Sequence, residues 1–281
     1  MESQAFGPVP HSSERALVME RVIMAVRQLW FGAQVRPLGC ATAVVEAGAE
    51  MLMCVDGDSA RIDALVADAA RRSCYVVATT ASRPPDLGAR LTRAGFRPVI
   101  AHNTYVWNPA LYTDTPRPDR PRRGLLRLLA RPRLGAVQVR PIGRGELPVW
   151  NEVCWRAFGS RGSESFSLAE KEQAFDAMGD AARWYLAVAP DGRAVGTAIL
   201  YQNEEAAQVL AVGTLPGYRE RGVATALMRC LLADWQRTGR GFLFLDTTPG
   251  SPAERLYMQL GFEPDYLREV YAPAHSGLTE L

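Results

Sequence analysis

The chain has 281 residues, with 32 lysines and arginines against 30 aspartates and glutamates, for a formal charge of +2. That near balance excludes a chain that binds polyanions through its net charge, and 48% hydrophobic with 22% charged residues excludes an intrinsically disordered one. The length predicts one large or two medium domains.

In chain order, EMLMCVD (50–56) reads as a strand, DSARIDALVADAARRS as a helix, CYVVATT as a strand, LGARLTRAGF as a short helix and PVIAHNTYVW as a strand. Residues 113–136 then carry four prolines, seven arginines and two aspartates. Proline at that density blocks regular structure and predicts an interdomain linker of charge +5. The chain divides into 1–112, 113–136 and 137–281, and the last part holds 14 basic and 18 acidic residues. The linker has three readings: a solvated tether, a short amphipathic helix GLLRLLAR docking between the lobes, and an arm for a polyanion. The tether ranks first, because the arm lacks interleaved aromatics and the C-terminal part would repel the same polyanion.

In the C-terminal part the strands VQVRP (137–141), RWYLAVA (183–189), VGTAILY (195–201) and QVLAVGTL (208–215) are predicted, with helices near 146–159 and 167–178 between the first two. VATALMRCLLADWQRTG reads as a helix ended by Gly239, FLFLDTT as a buried strand, SPAERLYMQLGF as a short helix with Pro252 in its first turn, and YLREVY as a last strand. The N-terminal part echoes the second half of this order, with YVVATT…LTRAGF beside LFLDTT…LYMQLGF. A duplicated domain is expected, not a solenoid. Trp150, Trp155 and Phe158 fall at spacings that suit a buried helix face. The acidic residues Glu146, Glu152, Glu164, Glu170 and Glu172 read first as a solvated face and second as a cleft rim for a cationic amine.

The N-terminal segment MESQAFGPVPHSSE has no basic stretch leading into an apolar run, and nothing reaches the ~20 apolar residues of a membrane span. A cytoplasmic protein with no membrane partner is expected. Cys40, Cys54, Cys74, Cys154 and Cys230 read as reduced residues, and three histidines with no metal-ligand spacing leave no material for a metal site.

The pattern that carries chemistry is Arg219-Glu-Arg-Gly222-Val-Ala224, between the strand QVLAVGTL and a long helix. A diphosphate needs several converging N–H groups, and a strand-to-helix turn supplies them at the positive end of the helix dipole. Gly222 and Ala224 are read as small so that the anion can approach the backbone. The plain alternative is an ordinary turn with a solvated charge cluster.

LAVGTLPGYRERGVATALM (210–228) and SPAERLYMQLGF (251–262) resemble motifs A and B of the GNAT superfamily of acyl-CoA-dependent N-acyltransferases. The resemblance covers 137–273 with the full element order and 50–107 more weakly. It implies an α/β (α+β) fold of two GNAT-like lobes, a mixed, mostly antiparallel sheet flanked by helices, complete in the C-terminal half. It implies acetyl-CoA as co-substrate, transfer to a primary amine of a small molecule or peptide in a ternary complex, and room for a homodimer; it gives no reason to expect a nucleic-acid partner.

By the same resemblance the amides of Arg221, Gly222, Val223, Ala224 and Thr225 hold the pyrophosphate, with Arg219 and Ser251 as further cofactor-binding candidates. Val212, Gly213 and Thr214 pair with the pantetheine arm and offer an N–H to the thioester carbonyl, an oxyanion-hole contact. Tyr257 takes the position of the general acid. Gln208 stands where some members carry a glutamate base, which leaves water, Glu152 or another cleft residue to take the proton. Gly250 replaces an asparagine common in the family. The N-terminal turn DGDSARID lacks the motif, and Leu91 stands opposite Tyr257, so that half reads as a degenerate, non-catalytic lobe. The rival reading from another class is an acyl-CoA sensor that has lost transfer.

Overall fold

Runs that are apolar at every position, such as Tyr75–Ala78 and the start of Phe242–Thr247, become strands buried on both faces, as happens when helices cover a sheet from both sides. The computed structural model describes residues 12–46, 48–112, 136–159, 167–238 and 241–274. The N-terminal half comprises α1 (Ser12–Phe31), β1 (Gln34–Pro37), β2 (Thr42–Glu46), β3 (Ala49–Met53), α2 (Ser59–Arg72), β4 (Tyr75–Ala78), α3 (Leu87–Arg93) and β5 (Phe96–Trp107). The C-terminal half comprises β6 (Gln138–Pro141), α4 (Leu147–Phe158), α5 (Leu168–Met178), β7 (Ala182–Val188), β8 (Ala194–Gln202), β9 (Ala206–Thr214), α6 (Val223–Thr238), β10 (Phe242–Thr247), α7 (Pro252–Gln259) and β11 (Phe262–Pro273). The fold is α/β (α+β), mixed and mostly antiparallel, as the resemblance implies.

Among the described residues, the strands join one eleven-stranded sheet in the order β1-β2-β3-β4-β11-β5-β10-β9-β8-β7-β6. Its centre is an exchange. β5, the last strand of the N-terminal half, lies between β10 and β11; β11, the last of the C-terminal half, lies between β5 and β4. The ends are tied reciprocally: Asn108 N–H donates to Gly261 O at 2.8 Å, and Ala274 N–H donates to Gly95 O at 2.9 Å. Gly95 and Gly261 have φ of +83° and +88°, so each short helix turns into its exchanged strand through a residue that only glycine fits readily.

β3-α2-β4-α3-β5 and β9-α6-β10-α7-β11 therefore repeat both the order and the pairing, since β3/β4 and β9/β10 are both parallel pairs. One face of the sheet packs on α1, α4 and α5; the opposite face packs on α6 and α7 in one half and on α2 and α3 in the other.

α1 crosses from one half to the other. Trp30 stacks on Trp184 with centroids 5.3 Å apart, Trp184 meets Trp150 edge-on at 4.6 Å, and Lys171 Nζ sits 4.3 Å from the Trp30 ring centre. Glu20 accepts from Tyr266 Oη at 2.6 Å and from Arg268 Nε at 3.3 Å, all fully buried. Removing one member of such a pair strands a buried charge, at about 3–5 kcal/mol. Arg15 adds an ion pair to Asp265.

β11 starts at Phe262, four residues before the predicted strand, because the chain enters it directly from the Gly261 turn and absorbs Pro264 in a register shift between Pro264 and Tyr266. Trp150 is core, but Trp155 and Phe158 are about half exposed: the buried stripe of α4 runs Leu147, Trp150, Val153, Cys154 and Ala157, and the two later aromatics lie off it. The Arg/Pro-rich 113–135 segment, Glu164 and the helix stop at Gly239 lie outside the described residues. Among the described residues, no helix is long and apolar enough to cross a membrane, and no group of three metal-ligating side chains comes together.

Candidate active site

β9 pairs with β10 only through Ala206–Gln208, and beyond Gln208 the two strands part. On its other edge β9 follows β8 with a bulge: Leu210 pairs Ile199 and Gly213 pairs Thr197, so Ala211 and Val212 together face Ala198. Ala211 takes a left-handed φ of +51°, and its carbonyl accepts from Thr197 Oγ1 at 3.1 Å. Val212, Gly213 and Thr214 thus run along the gap with one edge unladdered toward β10. A Cβ on Gly213 would stand 2.9 Å from Ala157 Cβ and 3.0 Å from Phe158, so glycine there lets the end of α4 close onto β9.

The chain then turns through Pro216–Tyr218 into α6. Glu220 and Gly222 have φ of +62° and +88°, and Gly222 O accepts from Ala226 N–H at 3.0 Å, which makes Gly222 the residue that opens the helix. Val223, Ala224 and Thr225 are the first three helical residues, whose amides have no partner within a helix, and left-handed backbone just before them forms a concave array of donors. A Cβ on Gly222 would meet nothing within 4 Å. The positive φ is itself a reason for glycine here, and the space beside it is open, as an anion approaching the backbone would need.

Arg219 is engaged with its own protein: Nη2 donates to Ala157 O at 2.6 Å and Nε to Thr214 O at 3.2 Å, pinning the loop to the last turn of α4. Arg221 lies over the Tyr218 ring, 5.7 Å from its centre. Ser251 caps α7, its Oγ accepting from Glu254 N–H at 3.2 Å, while Glu254 reaches back to Gly250 N–H at 2.7 Å. Glu254 also accepts from the Tyr105 phenol, which joins α7 to β5.

Tyr257 projects from α7 into the core beside Phe262, ring centres 6.0 Å apart. Burial first, and then the charge of Asp246, push its phenol above the usual tyrosine range, so it keeps its proton through neutral pH. Glu152 stands apart from this group, on the exposed face of α4 in an ion pair with Arg156 at 3.2 Å. Two hollows flank the end of α4. One, about 450 Å³, lies between Trp155 and Tyr218 beside the loop; the other, about 290 Å³, lies over the bulge between α1 and α4, lined by Val26, Trp30, Phe31, Cys154, Phe158 and Leu210. Burial pushes the Cys154 thiol up to about 12, which leaves no thiolate nucleophile in that hollow.

Three further polar residues meet where β9 and β10 part. Gln208 Nε2 donates to Asp246 Oδ1 at 3.2 Å, and His102 Nδ1 lies 3.6 Å from Asp246 Oδ2. The sequence reading had weighed Gln208 but neither of the others. The available signal was local: Asp246 is the only charged residue of its buried strand, and His102 the only histidine in PVIAHNTYVW.

A strand that bulges and parts from its parallel neighbour, followed by a left-handed turn into a helix whose first amides are free, is the architecture of the GNAT N-acyltransferases. Residues 147–262 match the sequence model of the Acetyltransferase (GNAT) family, and the repeated strand and helix order gives the chain a tandem GNAT-like fold. A GCN5-related N-acetyltransferase from Kribbella flavida is similar at TM-score 0.61 and 17% identity, over 91% of this chain and 95% of that one. A second, from Sphaerobacter thermophilus, is similar at 0.58 and 18%, over 94% and 96%. A tandem GNAT protein from the clavulanic acid biosynthesis pathway is similar at 0.55 and 15%, over 85% and 79%. No curated protein matches the chain.

Proposed function

We propose that the protein transfers an acetyl group from acetyl-CoA to a primary amine of a small molecule or peptide, by direct attack in a ternary complex. The observation that carries this reading is the parting of β9 from β10 at Gln208, continuous with the free amides at the head of α6. In it, the amides of Arg221–Thr225 hold the pyrophosphate, Val212–Thr214 pair with the pantetheine arm, and Val212 N–H faces the thioester oxygen where charge develops. Tyr257 protonates the departing thiolate, a role suited to a phenol whose burial keeps it protonated. Arg219 and Ser251 shape the loop and the α7 cap around the donor. Glu152, on the open face, is given no proton-transfer role. The organisation into 1–112, a 113–136 linker and 137–281 belongs to the same proposal, with donor chemistry confined to the last part.

The test is release of CoA thiol from acetyl-CoA across a panel of amines, with acetyl-CoA affinity by calorimetry. Release that requires an amine is expected, and Tyr257→Phe lowers kcat by roughly 100-fold at unchanged affinity. Wild-type rates with Tyr257→Phe remove the phenol from the mechanism. Tight acetyl-CoA binding with no release to any amine favours a non-catalytic sensor.

A further inference from the structure

The strand exchange places a residue of the N-terminal half at the point where the two donor-binding strands separate. Asp246 pairs Thr104 across β10 and β5, so His102, two residues earlier on β5, lies diagonally opposite on the same face. His102 Nδ1 faces Asp246 Oδ2 at 3.6 Å, and both side chains retain partial access to solvent, at 32% and 26%. Asp246 also holds Gln208, the residue at the family's base position, through Gln208 Nε2. Because a carboxylate only accepts, that bond fixes the amide's orientation and leaves Gln208 Oε1 buried with no partner among the described residues. This is the face that carries Leu210 and the hollow over the bulge.

We propose that His102, oriented by Asp246, accepts the proton of the acceptor ammonium, so that the N-terminal half supplies the base for chemistry carried out in the C-terminal half. The assignment rests on the transferase reading above. Groups facing His102 come from three elements: Asp246 on β10, Arg268 on β11 and Arg27 on α1, with Glu20 of α1 bonded to Arg268. Burial lowers the imidazole pKa most, Asp246 raises it, and the two arginines lower it, for a net fall. The ring is therefore neutral at pH 7 and able to take a proton.

One proton passes from the ammonium to His102 Nε2, and the freed lone pair forms the C–N bond at the thioester carbonyl carbon. The C–S bond breaks with its electron pair on the thiolate, which takes the Tyr257 proton. The second proton lost by nitrogen replaces, through solvent, the one the phenol gave, and His102 returns its proton to water.

The experiment measures kcat against pH for the full chain, His102→Gln and Asp246→Asn with an amine the wild type acetylates, and acetyl-CoA affinity for each by calorimetry. His102→Gln is expected to lose roughly 100-fold or more in kcat at neutral pH, to keep its acetyl-CoA affinity, and to have its acidic limb displaced upward to the pH range in which the amine itself deprotonates. Asp246→Asn removes the charge that raises the imidazole pKa, so its acidic limb moves to lower pH. An unchanged kcat and acidic limb in His102→Gln overturn the assignment while leaving the transferase reading intact. A wild type that binds acetyl-CoA but acetylates no amine overturns both. Should His102→Gln fail to fold, the wild-type chain decides the matter by NMR, since it has only three histidines. The His102 ring is expected to titrate below the ordinary histidine value and to shift downward in Asp246→Asn; an identical midpoint in the two proteins overturns the pairing.

Discussion

The two strand-to-helix turns at β3–α2 and β9–α6 occupy equivalent places in the duplicated order, and they treat a helix N-terminus in opposite ways. At α2 the opening residue is Asp58, in extended conformation, whose Oδ1 accepts the Arg61 amide at 2.9 Å. At α6 it is Gly222 at φ +88°, with no side chain to offer. A left-handed non-glycine residue follows the parallel pairing in both halves, Cys54 at +50° and Ala211 at +51°, but β3 ends there while β9 runs on to Thr214. Leu91, fully buried, sits where the other half has Tyr257. The order and pairing of β3-α2-β4-α3-β5 thus repeat in β9-α6-β10-α7-β11. What separates the halves is a carboxylate already seated on the amides, a strand too short to border a gap, and a phenol replaced by an aliphatic side chain.

Gly222→Asp makes the second turn resemble the first, and it carries the largest expected effect. A non-glycine residue at that φ costs about 1–2 kcal/mol, and a carboxylate at the mouth repels a diphosphate and competes for its donors. Acetyl-CoA affinity is expected to fall by roughly 100-fold or more in calorimetry, with the far-UV circular dichroism unchanged. Affinity within a factor of about two of wild type would mean that the α6 amides do not hold the donor.

A smaller effect is expected from Arg219→Ala. The side chain bridges the loop to Thr214 and Ala157, and each such bond contributes about 0.5–1.5 kcal/mol net. Losing both loosens the loop without removing an amide, so acetyl-CoA affinity should drop roughly tenfold, with a lower midpoint in thermal unfolding. If the affinity loss equals that of Gly222→Asp and thermal stability is untouched, Arg219 contacts the donor directly and its carbonyl contacts are incidental.

How much of this was legible before the structure depends on the range of the interaction. α4, α5 and α6 and the strands between them fall within a residue or two of their predicted bounds, and α7 starts within one but ends three residues early at Gln259, because each is an amphipathic or continuously apolar segment whose period is local. α1 was missed because Ala16, Met19, Val22, Ile23, Met24 and Val26 are all buried, so its apolar residues wrap most of the helix and leave no clear stripe. β1 is a four-residue edge strand with an almost wholly exposed pattern and no alternation to find. The loop at Gly222 was readable as a contiguous motif. The pairing of β5 with β10, and with it the approach of His102 to Asp246, joins residues far apart in the chain, and no local pattern marks which half a strand will enter.

The smallest functional effect is expected at the first turn itself, and it tests whether the comparison is symmetric. Asp58→Ala removes the cap of α2 and should cost about 1 kcal/mol in urea unfolding, the usual price of an N-cap. Freeing the Arg61 amide does not create a second donor site, because the Asp58 backbone is at φ −69° and β3 leaves no strand edge to continue the cradle. Calorimetry should therefore still give one acetyl-CoA per chain, at wild-type affinity and with wild-type CoA release. A second equivalent bound by Asp58→Ala would show that the carboxylate alone silences the N-terminal turn, and that strand length and left-handed backbone contribute nothing to the difference between the halves.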